Sequence, residues 1–283
     1  MHHRRQLTLA AFTVAAVAGA AARPARAQGV LVAPHAVFID HRTRSGWVQL
    51  HNPTSEPTEV SVETIFGYPV TDSSGHFELR TLEQPDSTLP SAVKWITAFP
   101  RRTVLQPLAR QTIRLMVTPP PDLPDGEYWA RLVITARGAA PPVTGADSAQ
   151  GITVGLNLEV RTVIPVLYRK GSLATGIALS DLRTSLEADS VVVRSRLTRT
   201  GKAAFLGTIR GTLASPDGSV AGRFEEPVSV YMEVDPRFVI PRAGLRPGRY
   251  RLTVEVVSER SDIAAEQVLP ITPARATIEV TIP

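Results

Sequence analysis

The chain has 283 residues, 43% of them hydrophobic and 20% charged, which supports one large or two ordinary packed domains and argues against wholesale disorder. Its 24 prolines and 19 glycines disfavour long helices, because proline removes a backbone donor and clashes with the preceding turn. There is no cysteine, which excludes disulfides, thiolate metal centres and cysteine nucleophiles; the formal charge of +5 owes much to Arg4, Arg5, Arg23 and Arg26, and the remainder lacks the clustered cations that nucleic acid requires.

Residues 1–27 read as a secretory signal. Arg4 and Arg5 form a charged start, Leu7 to Ala22 an apolar run, and Ala25-Arg26-Ala27 a small-residue cleavage site after Ala27. The apolar run is shorter than the roughly 20 residues that span a bilayer. No later stretch qualifies as a transmembrane helix, so the mature chain is expected to be soluble outside the cytoplasm, in the periplasm.

From there the sequence reads as strand after strand. Leu31 to Ile39 alternates loosely around Pro34, and Trp47 to Leu50 ends at the Asn52-Pro53 turn. Glu59 to Phe66 sets Val60, Val62 and Thr64 against Ser61, Glu63 and Ile65. Gln111 to Val117 sets Thr112, Arg114 and Met116 against Ile113, Leu115 and Val117, and Tyr128 to Ile134 is a further apolar strand. Gly138 to Gly151 has no apolar pattern and reads as a loop; Ile152 to Tyr168 is the longest regular strand. Arg169 to Ser172 reads as a linker. The pattern then restarts at Val191 to Leu197, Phe205 to Leu213, a Ser215-Pro216-Asp217-Gly218 turn, Val228 to Val234, Tyr250 to Val257 and Thr277 to Ile282. Short strands with turns every 8–12 residues indicate an all-β protein of two sandwiches, here residues 28–170 and 171–283.

Catalytic groupings are not persuasive. His35, His41, His51 and His76 lack the spacing of a metal-binding helix, Glu225-Glu226 sits beside turns, and no phosphate loop or serine elbow occurs. The reading is of a non-enzyme with no metal and no cofactor.

The long strand is the informative segment. Ile152, Val154, Leu156, Leu158, Val160, Ile164 and Val166 share one face, interrupted by Thr162. A sandwich core needs about five or six residues of strand. The C-terminal part, Ile164 to Leu167, reads as core. The N-terminal part is expected to run past the body as an apolar edge, a hazard that proteins normally blunt, and keeping one points to pairing with another chain.

At this strand the sequence resembles the periplasmic chaperones of the chaperone–usher pilus pathway, the PapD-like family. The residues that carry the resemblance are Thr162 to Arg169, ending in Tyr168-Arg169; Leu123-Pro124-Asp125-Gly126-Glu127-Tyr128-Trp129; Arg101 to Pro107 followed by Gln111 to Leu115; and Val37-Phe38 with Val48 to Asn52. The likeness covers roughly residues 30–170. It implies two immunoglobulin-like β-sandwich domains in a boomerang arrangement. It implies that Ile152, Val154, Leu156, Leu158 and Val160 are lent to pilin-like or other β-rich secreted subunits that lack a final strand, with an outer-membrane usher as a further partner. It also implies an inter-domain ionic cluster of Arg114, Glu127 and Arg169. The family holds its subunit's C-terminal carboxylate with two basic residues; the matching positions are His35, which can donate a hydrogen bond, and Pro165, which cannot, with Arg161 and Arg44 as other basic residues. The alternative reading is a secreted immunoglobulin-like adhesion or structural module whose long strand is ordinary core.

Overall fold

The computed structural model describes residues 29–138 and 158–283. Its described residues form eighteen strands and two short 3-10 turns. The expected leader, Ile152, Val154 and Leu156 lie outside the described residues.

The first sandwich follows the alternation in its sequence. One sheet has the order β1 (Leu31–Ala33), β3 (Ser45–His51), β8 (Arg110–Val117), β6 (Ile96–Phe99). The facing sheet has the order β2 (Val37–Asp40), β10 (Glu159–Lys170), β9 (Gly126–Gly138), β4 (Thr58–Thr71), β5 (Phe77–Leu82), with β7 (Arg102–Leu105) also on β4. Val48, Leu50, Ile113 and Leu115 of the first sheet meet Val60, Val62, Leu132, Ile134, Ile164 and Val166 of the second, all buried. These are the residues one strand period apart that the pleat turns to a common face.

Two expectations are revised here. Leu31 to Ile39 is not one strand: β1 pairs with β3 in one sheet and β2 pairs in parallel with β10 in the other, the chain changing sheets at Pro34-His35. The expected linker begins inside a strand, since Arg169 and Lys170 complete β10 and the break comes at Gly171, whose φ is +78°.

In the second half, β11 (Thr175–Leu186), β12 (Ser190–Gly201), β15 (Glu233–Val234) and β16 (Arg237–Pro241) make one sheet. β14 (Val220–Val230), β13 (Phe205–Ala214), β17 (Gly248–Val257) and β18 (Ala274–Ile282) make the other. Their core includes Val191, Leu197, Phe205, Ile209, Phe224, Phe238, Leu252 and Val254. Phe224 and Phe238 stack face to face with ring centroids 4.7 Å apart. Gly211 admits the Phe224 ring, for a Cβ there would lie 2.0 Å from it. No helix among the described residues is long and apolar enough to cross a membrane.

Leu132 sits at the centre of the first core with no exposure, flanked by β4 and β10. Leu132→Ala should cost about 2–5 kcal/mol, because the methyl groups removed leave a cavity that β strands held on both sides cannot collapse. Denaturant unfolding of the purified protein reads this directly.

Candidate functional site: a one-sided strand and the junction it leads to

β10 is antiparallel to β9 along its whole length, from Glu159↔Arg137 to Lys170↔Gly126. Its other edge is taken by β2 only from Val166 to Arg169. Among the described residues, Glu159 to Pro165 therefore has a ladder on one side and no strand on the other. Alternation assigns the faces. Val160, Thr162 and Ile164 turn towards the first core, while Arg161, Val163 and Pro165 turn away from it. Val163 is 40% exposed and Leu158, just ahead of the strand, 44%. Leu158 and Val160 line a hollow of about 130 Å³ at the open end of the sandwich, with Pro57 and Ala136.

The charges beside this edge lie on the sheet face rather than along the edge. Arg137 bonds Glu159 at 2.7 Å, and Arg161 bonds Glu63 at 3.0 Å across the neighbouring strand. Both pairs are solvent-exposed and worth little to stability. Neither the bulges nor the lysines that usually guard an edge occur between Glu159 and Pro165.

At its C-terminal end β10 runs into the junction of the two sandwiches. The register places Arg169 opposite Glu127. The Arg169 guanidinium donates from Nε to Glu127 Oε2 at 2.8 Å and from Nη1 to the Gln267 carbonyl at 2.7 Å. Glu127 Oε1 accepts from the Trp129 indole at 3.0 Å and from the backbone N–H of Ala204 at 2.9 Å. One buried carboxylate thus ties two strands of the first sandwich to the second. Around it, Phe66, Tyr68, Trp129 and Leu167 pack against Ala204, Leu206 and Tyr231 in a single apolar cluster. Trp129 and Tyr231 meet edge to face at 4.7 Å, and burial pushes the Tyr231 phenol up from its ordinary value.

Arg114 is not part of this group. It is exposed on β8, in the opposite sheet, across from Trp47 and Phe99. The physical reason is the two-residue period: Ile113 and Leu115 point into the core, so Arg114 points out. A further arginine at the junction is Arg131, only 7% exposed, which donates to the Gly67 carbonyl at 3.0 Å and lies 4.9 Å from the Tyr231 ring. A charge inside the apolar run Tyr128 to Ile134 was the signal that could have found it. Arg199, over the Trp129 ring at 5.7 Å, had no comparable signal, and burial holds its guanidinium below the ordinary value.

Between the sandwiches lies a cleft of about 590 Å³ bordered by His35, Phe77, Arg131, Pro165, Tyr231 and Arg260. His35 is exposed at its rim. Arg260 is committed to Asp262 through two bonds of 2.7 and 2.6 Å. Arg161 reaches the same cleft; Arg44 does not border it and instead donates to the His41 carbonyl in the β2–β3 turn. No group of three or more potential metal ligands occurs among the described residues.

Neither a family model nor any curated protein matches the sequence. Solved structures resemble it in fold. The YadV chaperone is 17% identical with a TM-score of 0.45, over 88% of this chain and 99% of that one. The chaperone DraB of E. coli is 14% identical with a TM-score of 0.41, over 81% and 92%. The Salmonella enterica complex of SafA pilin with the SafB chaperone gives 14%, 0.43, and 89% and 97%. Likenesses this distant leave function to be argued from the site itself.

Glu127→Ala should cost about 3–5 kcal/mol, since it strands the Arg169 charge, the Trp129 indole and the Ala204 amide. Arg114→Ala, by contrast, should change stability by no more than about 0.5 kcal/mol. Urea unfolding followed by tryptophan emission measures both; equal losses would show that Arg114 belongs to the junction.

Proposed function

We propose that the protein is a periplasmic, non-enzymatic chaperone that holds fimbrial, pilus or similar β-rich secreted subunits by lending them the edge of β10. The observation that carries this reading is the one-sided pairing of Glu159 to Pro165. An unfinished sandwich exposes a groove of core and a row of unpaired backbone groups. A donated strand fills the groove with alternate side chains and pairs the row. In sequence, Ile152, Val154 and Leu156 continue the face of Leu158 and Val160 upstream. Each such side chain, once buried, contributes on the order of 1.5–3 kcal/mol before ordering costs.

The other assignments follow from this reading. Residues 1–27 serve as the export signal, and residues 28–170 and 171–283 are the chaperone domain and its companion. Glu127 and Arg169 act as an orientation device at the junction, for which a buried ion pair is better suited than for net stabilisation. His35, at the rim of the cleft, offers the subunit a hydrogen bond in place of a permanent cation. An outer-membrane usher is the expected second partner.

The test is the double variant Leu156→Asp, Leu158→Asp, co-expressed with a pilin-like subunit deprived of its last strand. Capture should fall by at least about tenfold while the melting temperature stays that of the parent, because two charged side chains cannot enter a partner's apolar groove. Loss of the fold itself would make this stretch ordinary core and favour an adhesion or structural module.

A further inference from the structure

The glutamate–arginine junction is not the sole attachment between the sandwiches. β4 and β5 form a hairpin that leaves the first sandwich, pairing Phe66↔Leu82 through Thr71↔Phe77. Its tip lands on the second sandwich. The Thr71 hydroxyl accepts from the Asp235 N–H at 2.9 Å. The Gly75 carbonyl accepts from the Arg237 N–H at 3.0 Å, and the Ser73 carbonyl accepts from the Arg194 guanidinium at 3.2 Å. The receiving surface is itself held in place, with Arg183 and Arg194 both on the Asp235 carboxylate at 2.5 and 3.5 Å. Gly75 is required for the approach. Its φ is +88°, and a Cβ would fall 2.8 Å from Arg237 Cβ and 2.9 Å from the Arg237 nitrogen. The cleft lies over the outer face of the sheet to which both this hairpin and β10 belong: Phe77 and Leu79 of β5 and Val163 and Pro165 of β10 line it from the first sandwich, Leu206, Tyr231 and Arg260 from the second.

We propose that the β4–β5 hairpin is a second joint that fixes the width of the cleft, with Thr71 and Gly75 as its positioning residues. A single joint leaves one element about which two rigid bodies can swing. The hairpin shares the apolar cluster of the junction through Phe66, Tyr68 and Val70 of β4 and adds a second point of attachment at its tip, so a swing about the first joint must break the hydrogen bonds at the second. The Glu127–Arg169 pair and the shared apolar cluster therefore set where the sandwiches meet, and the bonds at the hairpin tip set how far apart their cleft-facing surfaces stand. This holds for either reading of the protein's function, so its test does not depend on any bound subunit.

The absence of native cysteine makes the test direct. Thr112→Cys on the first sandwich and Thr281→Cys on the second, both exposed, accept a pair of dyes for single-molecule energy transfer on the full mature chain. The parent should give one narrow distribution. Gly75→Val and Thr71→Val should each widen it and shift its mean, with circular dichroism unchanged, and Thr71→Ser should restore the parent distribution by returning the hydroxyl. A parent-like distribution in Gly75→Val overturns the proposal; if that variant does not fold, a parent-like distribution in Thr71→Val does so equally.

Discussion

The ladder between β9 and β10 is the interaction on which the rest of the molecule depends. It runs the full length of β10, and what differs along it is the opposite edge. Where β2 closes that edge, the side chains Val166 and Tyr168 enter the core and the strand is sealed. Where no strand closes it among the described residues, β10 has a neighbour on one side only. The register of this one ladder also sets Arg169 beside Glu127, so the one-sided edge and the inter-sandwich junction are two ends of a single element.

The junction illustrates how a buried charge is tolerated. The Glu127 side chain has no exposure, yet every direction it faces holds a donor: an arginine, an indole and a main-chain amide. Desolvating a carboxylate is expensive, and only such complete pairing offsets it. The apolar cluster of Trp129, Leu167, Leu206 and Tyr231 supplies the attraction between the sandwiches, which is non-directional. Hydrogen bonds with fixed geometry then select one arrangement from the many that burial alone would permit. Arg131 adds to this selection by bonding Gly67 while lying over the Tyr231 ring.

Legibility followed the regularity of the strand period. β3, β8, β9 and β17 were visible because one face of each is buried and the other is not, or because both are covered. β11 was hidden by a register shift between Ser180 and Arg183, which moves the buried phase from Ile177 and Leu179 to Leu182. β5 was hidden for the opposite reason: all but its last residue are exposed, so nothing alternates. The second half of β4, beyond Phe66, went unread because its partners are β5 and the other sandwich, neither of which its own sequence specifies. Of the site, the C-terminal part of the strand was legible from its alternation, and the Glu127–Arg169 pair only through the resemblance, which had grouped Arg114 with it; Arg131, Arg199 and the hairpin contacts were not legible.

By itself the sequence determined the local properties, an all-β chain and the faces of its regular strands, because side-chain alternation is a property of consecutive residues. Only the tertiary structure decided which edges are occupied. It placed Arg114 on an outer face, gave β2 to Val166–Arg169 of β10 and, among the described residues, left the first part of that strand without a second neighbour, and carried the β4–β5 tip to Asp235 and Arg237. Those are relations between segments far apart in the chain, set by hydrogen-bond pairing and shared burial, and no window of neighbouring residues contains them.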